Sequence, residues 1–131
     1  MLLHITSLFA SLLGLLIIYL AFKVVVFRRS KKVGLGANGD ETGLLAIRTH
    51  ANATEYIPIL LILMGIYEIN GGSTTALYII GVLSLVARFI HVMGLSKSAG
   101  VSFGRLYGTA LTWLLIIVLA GMNIAYFFTH L

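Results

Sequence analysis

The chain has no cysteine, a single proline and few charged residues. Among 131 residues there are four acidic side chains and nine lysines or arginines. The absence of cysteine excludes disulfides, thiolate metal ligands and a protein thiol nucleophile, so any thiol chemistry needs a thiol from a substrate. With 10% charged and 60% hydrophobic residues, the chain is too apolar for a water-soluble domain of this size. The sequence therefore predicts a membrane protein.

Four apolar runs are long enough to cross a bilayer, whose hydrocarbon core of about 30 Å needs about 20 helical residues. The first run has no basic residue before it and no small-residue cleavage site after it, so we expect a retained helix and not a secretory signal. We expect an all-α integral membrane four-helix bundle that forms one domain over residues 1–131. The predicted spans are residues 2–27, 42–69, 75–95 and 105–131.

Basic residues lie in the first and third connections, whereas the second connection, residues 70–73, has none. Lysine and arginine near span ends mark the cytoplasmic face, so connections one and three are expected in the cytosol and both termini on the other side. Alternatively, the first basic cluster sets topology and contacts anionic headgroups without binding a ligand. The first basic cluster consists of Arg28, Arg29, Lys31 and Lys32, and the bases at the third connection are Lys97 and Arg105.

The first connection contains a glycine-rich stretch at residues 33–39. It is not a phosphate-binding loop, because it follows no strand and lacks both the Gly-x-Gly-x-x-Gly spacing and the Gly-Lys-Ser/Thr ending. Asp40, Glu41 and Thr42 then supply a capping side chain and first-turn acids, which predict the start of the second helix.

The second span carries charged residues on one face. Arg48, Asn52 and Glu55 stand at positions i, i+4 and i+7, which share a helical face, whereas His50 points nearly opposite. Pro58 is expected to kink the helix beside this face. A charged side chain near the bilayer centre costs roughly 2.5 to 3.5 kcal/mol, so intramembrane ionisable residues predict a functional site.

Further polar residues are expected at the same cytosolic side of the bundle. Arg88 and His91 lie one turn apart in the third span, and Arg105 begins the fourth. A lone intramembrane histidine often bonds a neighbouring helix, which is the structural alternative for His91.

The charges within the spans do not balance. Arg48 and Arg88 could simply pair with Glu55 and keep the bundle neutral. Intraspan bases nevertheless outnumber this single deep acid, although Lys23 can extend to the surface. The excess of positive charge predicts an anionic ligand.

Other patterns are less specific. The four histidines have no metal-ligand spacing, so no metal site is expected, and neither is a nucleic-acid partner. Gly104-x-x-x-Gly108 is typical of close helix packing in membranes.

The second span resembles that of the MAPEG family, the membrane-associated proteins of eicosanoid and glutathione metabolism. The motif is Arg48-x-x-x-Asn52-x-x-Glu55-Tyr56-x-Pro58. The resemblance covers the whole chain and is greatest with the small bacterial branch, which implies a bacterial inner membrane.

The third and fourth spans extend this resemblance. Ala87-Arg88-x-x-His91 is similar to the third-helix pattern of the prostaglandin E synthase branch, and Arg105 stands where family members carry a catalytic arginine. Position 51 is alanine where eicosanoid-processing relatives have arginine, and Leu95 stands about where they have tyrosine. Eicosanoid synthesis is therefore not expected.

The resemblance implies a homotrimer that binds glutathione, as cosubstrate, between subunits. Arginines would grip its carboxylates, Glu55 its ammonium group and Asn52 its peptide, while Arg105, with Arg28 or Arg29 of a neighbour, would stabilise the thiolate. The expected binding residues are Arg48, Asn52, Glu55, Tyr56, Arg88, His91, Arg28 and Arg29, and the expected catalytic residue is Arg105.

Three functions follow as hypotheses. The first is a glutathione transferase or peroxidase that acts on hydrophobic electrophiles from the lipid. The second is a noncatalytic membrane protein of the same fold that binds a lipid or small anion. The third is a small transporter, in which a membrane glutamate would bind and release protons. It is less favoured because Glu55 shares its helical face with Arg48, and such a pair suits a fixed ion pair or the binding of a zwitterion.

Overall fold

The computed structural model of the protein describes residues 2–95 and 103–130. It contains four helices, α1 (His4–Lys31), α2 (Glu41–Ile69), α3 (Thr74–Leu95) and α4 (Phe103–Thr129). Each is long and apolar enough to cross a membrane, and no strand occurs in the described residues. The predicted all-α four-helix fold is confirmed. Lys97 and the side chain of Leu95 lie outside the described parts.

Helix α1 ends one turn later than the predicted span. Arg28 and Arg29 therefore lie in its last helical turn and not in the connection. Nothing in the sequence breaks the helix before Gly34, and basic side chains are favourable at a helix C-terminus. Lys32 then adopts a left-handed conformation with φ 55°, and Val33 N–H donates to the Arg28 carbonyl at 3.0 Å.

Asp40 caps α2 as the sequence predicts. Its carboxylate accepts from the backbone N–H groups of Thr42 at 2.9 Å and Gly43 at 3.1 Å, and it pairs with Lys31 at 3.0 Å. The hydrogen bond from the Thr42 hydroxyl, followed by that from Lys31, holds the pKa of Asp40 well below its usual range. The first connection is thereby tied to both helices that it joins.

The bundle has two distinct ends. One end, which we call the basic end, contains the first connection, the last turn of α1 with Arg28 and Arg29, the end of α3 and the start of α4. The second connection lies at the opposite end. Buried leucine, isoleucine and phenylalanine side chains fill the space between helices, while many large apolar side chains on every helix face outward. A lipid environment accounts for that outward apolar surface, so the chain is an integral membrane protein.

Helices α3 and α4 approach each other closely at glycines. A Cβ added to Gly104 would lie 2.7 Å from the Ile90 carbonyl and 2.8 Å from Gly94 Cα, and one added to Gly108 would lie 2.7 Å from the Ala87 carbonyl. These neighbours are backbone atoms, which cannot turn aside as a side chain would. The close packing predicted from Gly104-x-x-x-Gly108 is confirmed.

A carboxylate from α2 caps α1 at the opposite end. The N-cap residue Leu3 has no side-chain oxygen to offer, and instead Glu68 accepts from Ile5 N–H at 2.9 Å and Thr6 N–H at 2.8 Å. These N–H groups would otherwise lack helical acceptors, and a negative charge is favourable at a helix N-terminus. No local pattern in the sequence predicts this role for Glu68, because its partners are more than 60 residues away.

We expect Glu68→Ala to destabilise the protein by about 1.5 to 3 kcal/mol, the usual contribution of hydrogen bonds to a charged group. Glu68→Gln should cost less, because its amide oxygen still accepts one bond. Thermal unfolding in detergent would measure both. Glu41→Ala is the matched control, since Glu41 makes no such contact and contributes only a first-turn charge; equal effects at both positions would contradict the capping role.

Candidate functional site

The predicted polar face of α2 lies on the outside of the single chain. Arg48 and Glu55 are exposed and Asn52 is half-buried. Within the described residues neither Arg48 nor Glu55 forms a hydrogen bond or ion pair. Seven residues of helix separate them by about 10 Å along the axis, so the face presents a cation and an anion that are both available to a ligand.

Arg88 lies inside the bundle and not on that outer face. Its side chain is 2% exposed. One terminal nitrogen donates to Asn52 Oδ1 at 2.8 Å, and the other donates to Thr112 Oγ1 and to the Gly108 carbonyl at 3.5 Å. These hydrogen bonds offset part of the cost of burying the guanidinium group, while Arg88 Nε has no partner in the described residues. Arg88 therefore joins α2, α3 and α4.

This contact determines how Asn52 can be used. Because Arg88 is a donor and never an acceptor, it fixes the Asn52 carbonyl oxygen toward the interior. The Asn52 Nδ2 group makes no hydrogen bond within the described residues and remains a donor beside Arg48 and Glu55. Asn52 is thus the link between the interior network and the outer face.

His91 and Arg105 lie at the contact of α3 and α4 near the basic end. His91 is buried and its Nδ1 lies 3.2 Å from Thr109 Oγ1, while its Nε2 has no partner in the described residues. Arg105 is half-buried and its backbone lies against Gly94, where an added Cβ would be 2.6 Å from Arg105 N. The contact between His91 in α3 and Thr109 in α4 is the hydrogen bond to a neighbouring helix that the sequence offered as the structural alternative for His91.

Tyr56 packs within the protomer. Its ring lies edge-on to that of Trp113 in α4, with centroids 6.2 Å apart, so the aromatic contact holds α2 against α4 next to the Asn52 turn. At the basic end Arg28 is half-buried and Arg29 is exposed. Neither forms a salt bridge in the described part of the chain.

Apart from Tyr56, which packs on Trp113, the predicted residues fall into three groups. Arg48, Asn52 and Glu55 share the outer face of α2. Arg88 and His91 are interior, and Arg88 is linked to that face by its hydrogen bond to Asn52. The remaining arginines, Arg28, Arg29 and Arg105, lie at the basic end. Thr112 and the Gly108 carbonyl are further acceptors for Arg88. The sequence could have indicated Thr112 as a network residue because it is polar and lies within the fourth span.

No metal-binding group is found among the described residues, where no three His, Asp or Glu side chains gather. A cavity of about 250 Å³ opens between α1, α2 and α3. It contains neither Arg48 nor Glu55, so the polar face of α2 is separate from it.

Comparison with known proteins places this arrangement in a family. The sequence model of the MAPEG family matches residues 6–125, which include α2, α3 and most of α1 and α4. The chain belongs to the MAPEG family. It is similar to inner membrane protein YecN of Escherichia coli K12, with 37% identity over 120 residues that cover 90% of each chain. The YecN of Escherichia coli O6:H1 gives the same values.

MAPEG membership agrees with the resemblance seen in the second span. The match extends from α1 to α4, so the Arg48, Asn52 and Glu55 motif lies within a family domain and is not an isolated pattern. The YecN name describes the location of that protein and no activity. The residues of this MAPEG chain, and not the name of its relative, therefore indicate its chemistry.

Proposed function

We propose that the protein is a membrane-bound glutathione transferase or peroxidase that binds glutathione between subunits and activates its thiol toward hydrophobic electrophiles. The observation that carries this proposal is the outer face of α2. There Arg48 and Glu55 are exposed, opposite in charge and unpaired within the described chain, on either side of the Asn52 amide.

The same face supports a homotrimer. Glu55 lies fourteen residues beyond the start of α2 at Glu41, or about 21 Å along the helix, which places it within the hydrocarbon. A carboxylate exposed to lipid at that depth is unfavourable. Contact with a neighbouring subunit covers this face and leaves the site between two chains; the trimer is the assembly implied by MAPEG membership.

Glutathione matches the groups on this face. It has two carboxylates, one ammonium group and two peptide bonds. Arg48 can bind a carboxylate through two parallel hydrogen bonds, Glu55 can accept from the ammonium group, and the free Asn52 Nδ2 can donate to a peptide carbonyl. Arg88 acts here by holding the Asn52 amide in that orientation.

Thiol activation is assigned to the basic end. Arg105 lies in the first turn of α4, so its charge and the positive end of the α4 dipole act together, and both lower the pKa of a nearby thiol. Arg28 or Arg29 of a neighbour would add to this field. The thiol proton passes to water. The thiolate sulfur then bonds to the electrophilic carbon, and the leaving group departs with its electron pair.

We infer an inner-membrane location with the basic end in the cytosol and both termini on the other side. The four spans and the basic first connection support this orientation, and the name of YecN gives that location for a relative. Glutathione would then enter from the cytosol and the hydrophobic partner from the lipid.

Arg48→Ala and Glu55→Ala are each expected to weaken glutathione binding about ten-fold or more, because the loss of one partner of a charged hydrogen bond costs about 1.5 to 3 kcal/mol. Calorimetry with the purified protein in detergent would measure the affinity. Thr54→Ala is the matched control: Thr54 is exposed beside Glu55, but its hydroxyl donates to its own helix. If both charge variants keep the parent's oligomeric state and affinity, glutathione binds elsewhere or not at all.

A further inference from the structure

Lys23 holds its charge inside the bilayer. It lies eight residues before the end of α1 at Lys31, and its Nζ is 5.7 Å from the ring centroid of Tyr19, one turn farther from the basic end. Helical side chains tilt toward the N-terminus of their helix, which for α1 leads away from the basic end. The extension of Lys23 to the surface, which the sequence allowed, is therefore not what the structure shows.

Glu55 is the acid that lies inside the bilayer without a partner. Asp40 is bound at the start of α2 and Glu68 caps α1, while Glu41 is the first residue of α2. In the described part of the chain neither Glu55 nor Lys23 forms an ion pair, and both side chains are exposed. An exposed charge within the hydrocarbon is unfavourable unless it meets an opposite charge.

These two charges lie at the same depth. The ion pair of Lys31 and Asp40 joins the end of α1 to the start of α2, so the two helix ends are level. From there the Lys23 backbone is eight residues, or about 12 Å, along α1, and the Glu55 backbone is fourteen residues, or about 21 Å, along α2. Because α1 runs toward the basic end and α2 away from it, their side chains tilt in opposite directions by most of a turn. The ammonium and carboxylate groups therefore both lie about 17 Å from the basic end.

The two side chains point to different sides of α2 within one protomer. Lys23 lies over the side that carries Thr42, Ala46 and Thr49, with which it lines a cavity. Glu55 follows Ala46 by nine residues, or about two and a half turns, and so lies on the opposite side of the helix. The partner of each charge must therefore come from outside the protomer.

The other bases in the described residues do not match the depth of Glu55. Arg88 lies inside the bundle, where its terminal nitrogens donate to neutral oxygens. Arg48 is only seven residues into α2, about 10 Å, and its side chain tilts toward the basic end. Arg28, Arg29 and the bases that follow them lie at the basic end itself. Among the described bases on the outside of the protomer, Lys23 is the one that is level with Glu55.

We propose that Lys23 of the partner subunit pairs with Glu55 in the assembled protein, so that α1 of one copy completes the polar face on α2 of the next. A cyclic assembly whose axis follows the membrane normal keeps every residue at the depth it has in the protomer, so the two charges stay level. The pair keeps Glu55 ionised and in position. Because a carboxylate has two oxygens, one remains to accept from a ligand. Lys23 is then a positioning residue, and the inference rests on the subunit assembly of the proposed function and not on its glutathione chemistry.

Cross-linking of introduced cysteines tests the contact directly, because the chain has no cysteine of its own. Lys23→Cys and Glu55→Cys are combined in one chain, purified in detergent and treated with a short bis-maleimide whose reach matches a lysine–glutamate pair. We expect covalent trimers, since each subunit links to the next. Either single variant can give dimers at most, because one thiol per chain joins only two chains.

The matched control combines Lys23→Cys with Ile62→Cys. Ile62 is exposed on the same face of α2, seven residues after Glu55 and so about 10 Å farther from the basic end. This variant carries two thiols per chain as well, but they are not level. It should give at least about ten-fold less covalent trimer than the variant with Glu55→Cys.

Charge reversal tests whether the contact is an ion pair. Lys23→Glu and Glu55→Lys each bring like charges together, so the protein concentration at which the trimer half dissociates should rise about ten-fold or more. The double variant restores opposite charges and should recover the parent's value, and Lys23→Arg should behave as the parent. Two residues with merely structural roles would instead give losses that add in the double variant.

Three results would overturn the inference. Glutaraldehyde could link the unmodified parent into trimers while the variant with both cysteines gives none, which would leave the proposed trimer intact and place Lys23 away from Glu55. The double charge variant could dissociate more readily than either single variant, which would show that the two charges do not meet. A monomeric parent would contradict the assembly and the inference together, whatever its affinity for glutathione.

Discussion

Arg105→Ala is expected to lower kcat for glutathione conjugation with chlorodinitrobenzene by about 100-fold, while glutathione affinity changes far less. Removing one group that stabilises charge at the reacting centre typically costs 10²- to 10³-fold. In the proposed function Arg105 is assigned to the thiolate, whereas Arg48 and Glu55 are assigned to the ends of glutathione that do not react. Loss of a charge contact made at the sulfur lowers kcat, and loss of uniform binding raises KM.

Steady-state kinetics and the ultraviolet absorbance of the thiolate, measured without electrophile, would check this prediction together. The parent is expected to produce a thiolate signal on binding glutathione, and the variant should lose it. Lys32→Ala is the control for a general loss of positive charge at the basic end. Unchanged kcat with a raised KM would show that Arg105 contributes to glutathione binding and not to catalysis. An inactive parent that still binds glutathione would favour the noncatalytic function.

Gly108→Ala is expected to destabilise the bundle by about 3 kcal/mol, at the upper end of the usual cost of overpacking. The added Cβ would lie 2.7 Å from the Ala87 carbonyl and 2.8 Å from the His91 backbone nitrogen, so the helices themselves must separate. That movement also withdraws the Gly108 carbonyl from Arg88. Glutathione binding should therefore fall along with stability, because the Asn52 amide loses its fixed partner.

Gly121→Ala supplies the matched control on the same helix. A Cβ there meets nothing within 4 Å, and alanine has the higher helix propensity, by about 1 kcal/mol in a helix interior. Thermal unfolding in detergent should place Gly121→Ala at or above the parent and Gly108→Ala well below it. A Gly108→Ala protein that unfolds at the parent's temperature would show that α3 and α4 are not held in the close contact described above.

Periodicity was sufficient to place Arg48, Asn52 and Glu55 on one face of α2, because their angular positions depend on that helix alone. It was insufficient for Arg88, whose position on α3 is compatible with a ligand site or with an interior network. The choice depends on which neighbouring helices it meets. Its acceptors on α2 and α4 are 36, 24 and 20 residues away in sequence, and no local pattern encodes such pairs.

The sequence by itself determined that the protein crosses the membrane four times, where the helices begin and end to within a few residues, and which face of α2 is polar. These properties follow from apolar length, capping residues and helical period, all of which are local. The tertiary structure alone decided that Glu68 caps α1 and that Arg88 fixes Asn52. Each of these depends on the direction of a side chain and on a second helix opposite it, because a hydrogen bond needs both groups in place.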